Sequence, residues 1–394
     1  MRPAAQLQAA IELLDEIIAA ARGGGAAGDT IVARWFKTRR YAGSKDRRAV
    51  RELVYRAIRR FGDPPPSGRA AMVALAAEDP ELSELFDGSP HGPAPTGEGE
   101  AAAAGESPVP EWLASRFDPE IGREEWPGLL ERAPLDLRVN RLKGTRDEAL
   151  AALPEAAPSP LSPLGLRLPE GFRVEETQAW RSGLVEVQDE GSQLLALACE
   201  AGPGMSAIDL CAGAGGKTLA LAAEMGNEGR LLACDTDRRR LSQMPPRLER
   251  AGVRIAETRL LDPNRELDAL ADMGGRADLV LVDAPCSGTG TWRRNPETRW
   301  RLDAERLARL VKLQAHILDV AAALLRPSGV LVYAVCSVLA EEGRGQAEAL
   351  TKRSSLVPEP VAMQAGRVAG AGRLLTPAHD GTDGFFVARW RAPC

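Results

Sequence analysis

The spacing of apolar residues predicts helices throughout the first part of the chain. Apolar positions recur at intervals of three and four over Ala4–Ala21 and again over Ile31–Phe36, as expected for helices that bury one face. A third helix should follow Ser44, because serine is a residue type that caps helix N-termini. A short helical segment holds Met72–Phe86. We therefore expect residues 1–87 to form an all-helical module.

The next segment lacks the apolar residues from which a core is built. Residues 88–107 are mostly glycine, proline, alanine and glutamate. Such a composition cannot bury enough surface to order itself, which predicts a flexible linker. Apolar periodicity resumes in residues 108–186, where strand-like Leu135–Val139 and Leu164–Leu168 flank helix-like Arg146–Leu153. This pattern predicts a small α/β region.

From residue 187 onward, strands and helices alternate regularly. Continuous apolar runs bounded by turn-forming residues are typical of buried strands in a parallel sheet. We therefore predict an α/β domain over residues 187–394, with helices flanking a parallel sheet. The strands predicted on this basis are Ala207–Leu210, Arg230–Asp235, Ala256–Leu260, Leu279–Val282 and Val330–Val335.

Charge is distributed unevenly along the chain of 394 residues. The formal net charge is −5, yet basic residues crowd the segment from Lys37 to Arg60, and acidic residues dominate from Asp63 to Glu106. A basic segment can contact nucleic acid even in a chain that is acidic overall. A solvated helix face explains the same residues equally well.

The six cysteines do not have the pattern of a disulfide framework. None belongs to a Cys-x-x-Cys pair, and most lie at or beside predicted strand ends, which favours a reducing compartment. We find no secretory signal and no uncharged apolar run of the roughly 18 residues that a membrane span requires. We expect a cytoplasmic protein without a metal site, since the three histidines show no ligand spacing.

A glycine-rich turn follows the first predicted strand of the large sheet. After Asp209 comes Cys211-Ala-Gly-Ala-Gly-Gly-Lys-Thr218 at the start of a helix, where backbone amides favour a negatively charged ligand. A triphosphate-binding loop would have glycine at position 211, and a dinucleotide fingerprint would have its third glycine at position 218. Asp209, Gly213 and Gly215 instead match the methyltransferase pattern of an acid followed by alternate small residues. A purely structural tight turn is the alternative.

Two further acids follow the next two strands. Asp235 ends the second strand roughly 20 residues beyond the glycines, which is the spacing of a carboxylate that binds ribose hydroxyls. Asp262 follows the third strand, where a side chain can meet an adenine amino group. Acids at three successive strand ends favour S-adenosylmethionine as the cofactor over NAD or ATP.

Two cysteines follow two predicted strands at one edge of the sheet. Cys286 comes after Asp283-Ala-Pro285, and Cys336 precedes Ser337. Beside a methyl donor, a thiolate that adds to carbon 6 of cytosine makes carbon 5 nucleophilic, and Asp283 is placed to protonate ring nitrogen 3. The alternative is that both cysteines are small buried hydrophobes. The residues alone do not order the two thiols.

These motifs resemble those of the bacterial Sun-like RNA cytosine-5 methyltransferases, which act on small-subunit ribosomal RNA. The resemblance implies a Rossmann-like class I methyltransferase domain, completed by a last strand over Gly384–Trp390, with an N-terminal NusB-like module and a small α/β insert that contacts RNA. The motifs that carry it are Gln188-Asp-Glu-Gly-Ser-Gln193, Asp209–Thr218, Asp235 with Arg240-Leu241, Asp283-Ala-Pro-Cys-Ser-Gly-Thr-Gly290, Arg294-Asn-Pro-Glu297, Tyr333–Ser337 and Asp383-Gly-Phe-Phe386, with Ser44–Arg47, Tyr55–Arg60 and Leu137-Arg-Val-Asn140 in the module and the insert.

The resemblance also implies roles for individual residues. It makes Cys336 the attacking thiol and Cys286 the thiol that assists product release, and it places Lys217 in the active site. The implied partner is RNA of the 16S type, contacted by Arg47, Arg48, Arg294 and Asn295, and we expect a monomer. The candidate cofactor-binding residues are Asp209, Cys211, Ala212, Gly213, Ala214, Gly215, Gly216, Lys217, Asp235, Arg240, Asp262, Asp283 and Pro285.

Two other functions stay open from the sequence. One is methylation of a transfer RNA or of another RNA base, which would keep the cofactor acids without needing both thiols. The other is a non-catalytic RNA-binding or assembly factor that retains the fold.

Several positions depart from the family pattern. Gly213-Ala214 replaces the usual Ala-Pro, which we expect to loosen the cofactor turn. Arg247 replaces an expected Asn, and Pro245-Pro246 should kink or shorten the helix after Asp235. The aromatic and arginine residues of Trp292–Arg301 predict a clamp on a flipped-out nucleotide, with an ordinary amphipathic loop as the alternative.

Overall fold

The computed structural model describes residues 1–105 and 107–394, which form two compact units. The first unit comprises Met1–Phe117 and Thr291–Asp303. The second comprises Asp118–Gly290 and Ala304–Cys394. A short segment that interrupts the second unit in sequence therefore belongs structurally to the first, which the sequence did not predict.

The first unit consists of helices around an apolar core, as predicted. The apolar positions at helical spacing, among them Leu7, Leu14 and Val54, are fully buried. Ser44 is the first residue of its helix and not its cap: the Gly43 amide donates to Asp46 Oδ2 at 3.0 Å. The predicted cap is wrong because Gly43 occupies the N-cap position, and the Asp46 carboxylate in the first turn accepts the amide of that residue. The helices are α1 (Pro3–Gly23), α2 (Gly28–Thr38), α3 (Ser44–Arg60), α4 (Gly68–Glu78), α5 (Pro80–Ser83) and α6 (Glu111–Ala114).

The predicted linker contacts these helices over most of its length. Residues 88–105 and Ser107 are described and contain no helix or strand, whereas Glu106 lies outside the described residues. Glu100 Oε1 accepts a hydrogen bond from Arg69 Nε at 2.6 Å, and the Ala103 amide donates to the Ala70 carbonyl at 3.0 Å. The linker's flexibility and the predicted domain boundaries stay predictions.

The segment Thr291–Asp303 is held by the ends of two helices. Glu297 Oε1 accepts a hydrogen bond at 3.0 Å from the amide of Gly28, the first residue of α2. At the C-terminal end of α3, the Arg299 guanidinium donates to the carbonyl oxygens of Ile58 and Phe61, the latter at 2.9 Å. An acid at a helix N-terminus and a cation at a C-terminus satisfy backbone groups that the helices leave unpaired and complement their dipoles.

The tryptophans of this segment take part in the same packing. Trp292 is 0% exposed and meets Phe117 edge-on at 6.2 Å between ring centroids. Trp300 is 6% exposed, and its Nε1 donates to the Phe61 carbonyl at 2.9 Å. The prediction that these rings clamp a nucleotide is therefore wrong, because both rings are already buried.

The second unit contains a small antiparallel sheet, which accounts for the predicted α/β region. Its strand order is β2-β3-β1-β4. The elements are β1 (Leu135–Val139), α7 (Arg146–Ala152), β2 (Ala157–Pro158), β3 (Gly165–Leu168), α8 (Gln178–Arg181) and β4 (Val185–Val187), with short 3-10 helices at Arg123–Leu129 and Val174–Glu176.

A nine-stranded sheet forms the rest of the second unit. Its order is β11-β12-β13-β9-β8-β5-β6-β7, with β10 also paired to β13. The α/β, Rossmann-like prediction is confirmed, but the sheet is mixed. Strands β5 to β9 pair in parallel, whereas β13 is antiparallel to both of its neighbours in the sheet, β9 and β12.

The elements of this large sheet and its helices follow one another closely along the chain. They are α9 (Glu190–Leu197), β5 (Ser206–Asp209), α10 (Gly216–Glu224), β6 (Arg230–Asp235), α11 (Arg238–Leu241), α12 (Met244–Ala251), β7 (Ala256–Leu260), α13 (Glu266–Ala269), β8 (Ala277–Asp283), α14 (Ala304–Leu324), β9 (Leu325–Val335), α15 (Arg344–Arg353), β10 (Val357–Glu359), β11 (Arg367–Ala369), β12 (Gly372–Leu375), α16 (Pro377–Asp380) and β13 (Phe385–Arg391), with further 3-10 turns at Ala271–Met273 and Thr289–Thr291. The 3-10 turn at Pro296–Arg301 belongs to the first unit.

The strand order reverses between β5 and β8. Strands β5, β6 and β7 succeed one another in one direction, and β8 then returns to the other side of β5. Open α/β sheets bind ligands outside the carboxyl ends of the strands at such a point. Asp209 ends β5, Asp283 ends β8, and Cys336 directly follows β9. The topology thus gathers the predicted site residues at one edge.

The two prolines after Asp235 shorten a helix, as expected. Helix α11 ends at Leu241, and α12 begins at Met244, so Pro245 and Pro246 occupy the first turn of a new helix. Their missing amides would have no intrahelical partner there, so no hydrogen bond is lost.

Residues 1–105 and 107–394 contain neither a membrane-spanning helix nor a cluster of metal-ligand side chains. None of the helices there is long and apolar enough to cross a membrane. In the same residues, no group of three or more His, Cys, Asp or Glu side chains is arranged to hold a metal ion. The six cysteines are free thiols.

Replacing Glu297 with Ala should loosen α2. The buried Gly28 amide would lose its acceptor, which costs about 1–2 kcal/mol. We expect hydrogen exchange of the α2 amides in the full chain to become about tenfold faster. Glu52→Ala, at an exposed position of α3, is the control, and equal exchange in α2 for both variants would contradict the anchoring role of Glu297.

Candidate active site

A cavity of about 580 Å³ lies outside the carboxyl ends of the parallel strands. A smaller one of about 230 Å³ adjoins it, and Cys211, Arg240 and Asp283 line both. The larger cavity is also bounded by Asp235, Pro285, both cysteines of interest and apolar residues of α14, and the smaller one by Gln188, Ser192, Asp209, Ala212, Ala214, Gly216 and Lys217. Nearly all predicted cofactor residues thus surround one continuous region.

The glycine-rich turn is held in place by its neighbours. Asp235 Oδ2 accepts a hydrogen bond from the Gly213 amide at 2.7 Å, and its other oxygen accepts one from the Asp237 amide at the same distance. Arg247 donates to the Ala214 carbonyl at 2.7 Å and also pairs with buried Glu186. These contacts offset the freedom expected from the missing proline, and Arg247, the residue that departs from the family pattern, supplies one of them.

Glycine at position 213 has a structural reason. Its φ of +56° lies in the left-handed region, which side chains other than glycine rarely adopt. A Cβ placed there would lie 2.5 Å from an Arg240 guanidinium nitrogen. A residue with a side chain at this position would therefore strain the turn and displace Arg240 from the cavity wall.

Asp209 is a buried acid with an unused oxygen. It is 0% exposed, and its Oδ2 accepts a hydrogen bond from the Thr218 hydroxyl at 2.7 Å. Its Oδ1 has no hydrogen-bond partner. Burial, which disfavours the charged form, raises the pKa of Asp209 to about 7.

Lys217 and Asp283 form an ion pair at the junction of the two cavities. The Lys217 ammonium donates to Asp283 Oδ2 at 2.7 Å. Burial opposes the lysine charge, but the charge of Asp283 and the hydrogen bond to it outweigh burial and raise the pKa of Lys217. Lys217 is therefore a cation at neutral pH, and it also lies over the ring of Phe385 at 5.9 Å.

The two predicted catalytic thiols are neighbours. Their Sγ atoms are 3.3 Å apart, within hydrogen-bonding distance for sulfur. The hydrogen bond to Cys336, together with burial, raises the pKa of Cys286 well above its ordinary value. Lys217 interacts electrostatically with Cys336, whereas Cys286 feels the negative charge of Glu342. The surroundings therefore disfavour the thiolate form of Cys286, whereas Cys336 faces the Lys217 cation.

Sequence reasoning missed one buried acid of this site. Glu342 is 0% exposed and accepts hydrogen bonds from residues in the loops of both cysteines. No spacing rule could find it, because its partners come from three separate segments of the chain.

Asp262 is not among the residues that line either cavity. Its side chain is exposed just beyond β7, while its neighbours Leu261 and Pro263 line the larger cavity. Glu266, which is buried and lies 2.9 Å from His316 Nε2, contributes an acid to the cavity wall instead.

The four predicted RNA-contacting residues all lie in the first unit. Arg47 and Arg48 are exposed on α3, and the Arg47 Nε donates to the Ala42 carbonyl at 2.9 Å. Arg294 is half-buried and Asn295 is exposed in the segment Thr291–Asp303.

Two models of known protein families match this chain. The family model described as 16S rRNA methyltransferase RsmB/F matches residues 196–391, and the model for the ferredoxin-like domain of RsmF/B-like methyltransferases matches residues 109–175. The chain belongs to the RsmB/F methyltransferase family. The resemblance inferred from the motifs is thereby confirmed.

Individual relatives agree with this assignment. The chain is 35% identical over 288 residues to ribosomal RNA small subunit methyltransferase B of Salmonella typhi, an alignment that covers 71% of this chain and 65% of that protein. The solved structure of PH0851 has a TM-score of 0.75 at 23% identity and 98% coverage of both chains. NSun6 from Pyrococcus horikoshii, solved with SFG, has a TM-score of 0.63 at 21% identity over 71% of this chain and 96% of its own. These two structures share the fold.

Replacing Asp209 with Asn should change how stability depends on pH. From about pH 4, the usual carboxyl pKa, to about pH 7, the folded protein holds a proton that the unfolded chain has lost. The free energy of unfolding that Asp209 contributes therefore declines as pH rises through this window. The Asn variant lacks this decline, so its stability relative to the wild type should rise by roughly 1–4 kcal/mol between pH 4 and pH 8.

Urea unfolding at several pH values measures this difference. Asp262→Asn, at an exposed acid of the same sheet edge, is the control and should follow the wild type. A constant difference between Asp209→Asn and the wild type at all pH values would contradict the raised pKa.

Proposed function

We propose that this chain is an S-adenosylmethionine-dependent RNA cytosine-5 methyltransferase that modifies small-subunit ribosomal RNA. The observation that carries the proposal is the pair of thiols, 3.3 Å apart, at the edge of a cavity at the sheet's switch point. Membership of the RsmB/F family and the names of its relatives support the reaction class and the substrate.

The residues around the glycine-rich turn fit S-adenosylmethionine. Asp235 uses its oxygens to accept two backbone amides, and each oxygen retains a lone pair for a ribose hydroxyl. Asp209 Oδ1 is a buried acceptor that lacks a donor, and the ammonium of a methionine moiety is a matching donor. S-adenosylmethionine, when bound, supplies the methyl group that carbon 5 of the cytosine accepts.

Cys336 begins the reaction as the nucleophile. Its thiolate, which faces the Lys217 ammonium, forms a bond to carbon 6 of the cytosine, and the ring electrons move toward carbon 5 and nitrogen 3. The Lys217–Asp283 pair supplies the proton that nitrogen 3 gains. Carbon 5 is then nucleophilic enough to take the methyl group.

Cys286 completes the reaction as the base. Once the Cys336 sulfur is bonded to the base, Cys286 no longer faces a thiolate, so one cause of its raised pKa disappears. Cys286 then releases its proton to solvent, and its thiolate removes the proton from carbon 5. The electrons of that C–H bond reform the C5–C6 double bond, and the bond between carbon 6 and the Cys336 sulfur breaks to leave Cys336 as a thiolate. The proton on nitrogen 3 returns to the Lys217–Asp283 pair.

Replacing Cys286 with Ala should trap the intermediate. With S-adenosylmethionine and transcribed small-subunit ribosomal RNA, we expect this variant to accumulate a covalent protein–RNA adduct that survives denaturing electrophoresis. Cys336→Ala should form neither adduct nor product, because it lacks the nucleophile.

Cys394→Ala, which removes an exposed thiol distant in sequence, is the control and should behave as the wild type. Methylated cytosine made by Cys336→Ala, or an adduct made by that variant instead of Cys286→Ala, would contradict the proposed roles of the two thiols.

A further inference from the structure

The buried carboxylate of Glu342 lies between the loops that carry the two thiols. Its Oε1 accepts a hydrogen bond at 2.8 Å from the amide of Ser287, the residue after Cys286. Its Oε2 accepts one at 2.5 Å from the hydroxyl of Ser337, the residue after Cys336. One side chain therefore joins the two loops directly.

Further contacts fix this carboxylate to the rest of the unit. The Ser287 hydroxyl also donates to Oε2, and Gln314 Nε2 on α14 donates to Oε1 at 2.9 Å and to the Pro285 carbonyl at 2.9 Å. The Tyr333 hydroxyl on β9 donates to the Glu342 backbone carbonyl at 2.6 Å. Four donors on two oxygens match an ionised carboxylate, which only accepts, and charge-assisted bonds of this kind are the strong ones.

The hydroxyls of the two loops also bond to each other. Thr289 Oγ1 lies 3.0 Å from Ser337 Oγ and accepts the Val338 amide at 3.0 Å. The loops are thus cross-linked by a small polar network in which Glu342 is the charged member. Loss of its charge would weaken several bonds together, because a buried network of this kind acts as a unit.

The two thiols lie next to charges of opposite sign, with the Glu342 carboxylate near Cys286 and the Lys217 ammonium near Cys336. The titratable groups that face Cys286 are Cys336 and Tyr333 from β9 and its loop, and Glu342. Cys336 faces the cation of Lys217 from α10. The negative charge therefore lies on the side of the thiol that keeps its proton, and the positive charge on the side of its partner.

We propose that Glu342 is a positioning residue that joins the Cys286 and Cys336 loops. It holds the two thiols so that both reach the same cytosine, with Cys336 as the nucleophile and Cys286 as the later base. The inference rests on the proposed function, because only a two-thiol reaction makes the separation and the order matter. Glu342 does not itself line the cavity; it acts through Ser287 and Ser337.

Glu342→Gln tests this role with little change of shape. In the RNA-free full chain, we expect the pH at which iodoacetamide alkylates Cys286 half-maximally to fall by about one unit, which makes alkylation at pH 8 about tenfold faster. Peptide mass spectrometry resolves Cys286 from Cys336. A merely loosened structure would instead raise alkylation of both thiols at every pH.

Methylation of transcribed ribosomal RNA supplies a second readout. Glu342→Gln should lower kcat about tenfold or more while the KM for RNA stays within about twofold, because the thiols and not the RNA contacts are affected. Glu348→Gln, at an exposed position of α15, is the matched control and should equal the wild type in both readouts.

The outcomes separate this inference from the proposed function. Suppose that Glu342→Gln shifts the pH dependence of Cys286 alkylation but the wild-type chain methylates no RNA. This result would support the role of Glu342 beside the thiols and refute the proposed methylation reaction. Alkylation and methylation that match the wild type would overturn the role of Glu342. If Glu342→Gln does not fold, Ser287→Ala and Ser337→Ala test the same role, because each removes one hydroxyl donor to the Glu342 carboxylate. An unchanged pH dependence of Cys286 alkylation in both variants would overturn the positioning role of Glu342.

Discussion

The parallel pairing of β8 with β9 is the constraint on which the thiol pair depends. Val282 stands opposite Tyr333 and Asp283 opposite Ala334, so the two strands end at nearly the same level. Adjacent strands are about 4.8 Å apart, and the loops that leave them bring the Cys286 and Cys336 sulfurs to 3.3 Å. The Gly290 amide closes the first loop onto the Cys336 carbonyl at 3.1 Å, and a Cβ at Gly290 would lie 1.9 Å from the Gly384 carbonyl oxygen. The approach of these segments therefore requires glycine.

Around that edge the chain buries charges which a purely structural sheet would not contain. Asp209 is shielded from water with one oxygen unpaired. Buried Lys217 pairs with the half-buried Asp283, and buried Glu342 accepts hydrogen bonds from the loops of both cysteines. Buried groups of this kind cost stability unless they are paired. Their concentration at the switch point is the arrangement expected where environments are used to set protonation states, and the opposite charges beside the two thiols are its clearest instance.

The sequence was most informative where function and backbone geometry coincide. Asp209, Asp235 and Asp283 were predicted from strand ends, and both cysteines from their place after strands, because a parallel sheet fixes where strand ends meet. Patterns local to the sequence could not reveal contacts between distant segments. Glu297 and Arg299 anchor their segment to α2 and α3, and Glu342 gathers donors from three places, none of which has a characteristic spacing. The aromatic and arginine residues of Trp292–Arg301 had favoured a nucleotide clamp, but the sequence could not show that Trp292 and Trp300 are buried.

The proposed role of the two thiols is to catalyse methylation of a cytosine in ribosomal RNA, and bisulfite sequencing of small-subunit ribosomal RNA is the decisive measurement. RNA would be compared from source cells that lack the gene and from the same cells complemented with the wild type or with Cys336→Ala. We expect one 5-methylcytosine signal to disappear without the gene and to return with the wild type alone. A signal that persists in the absence of the gene, or that Cys336→Ala restores, would contradict it.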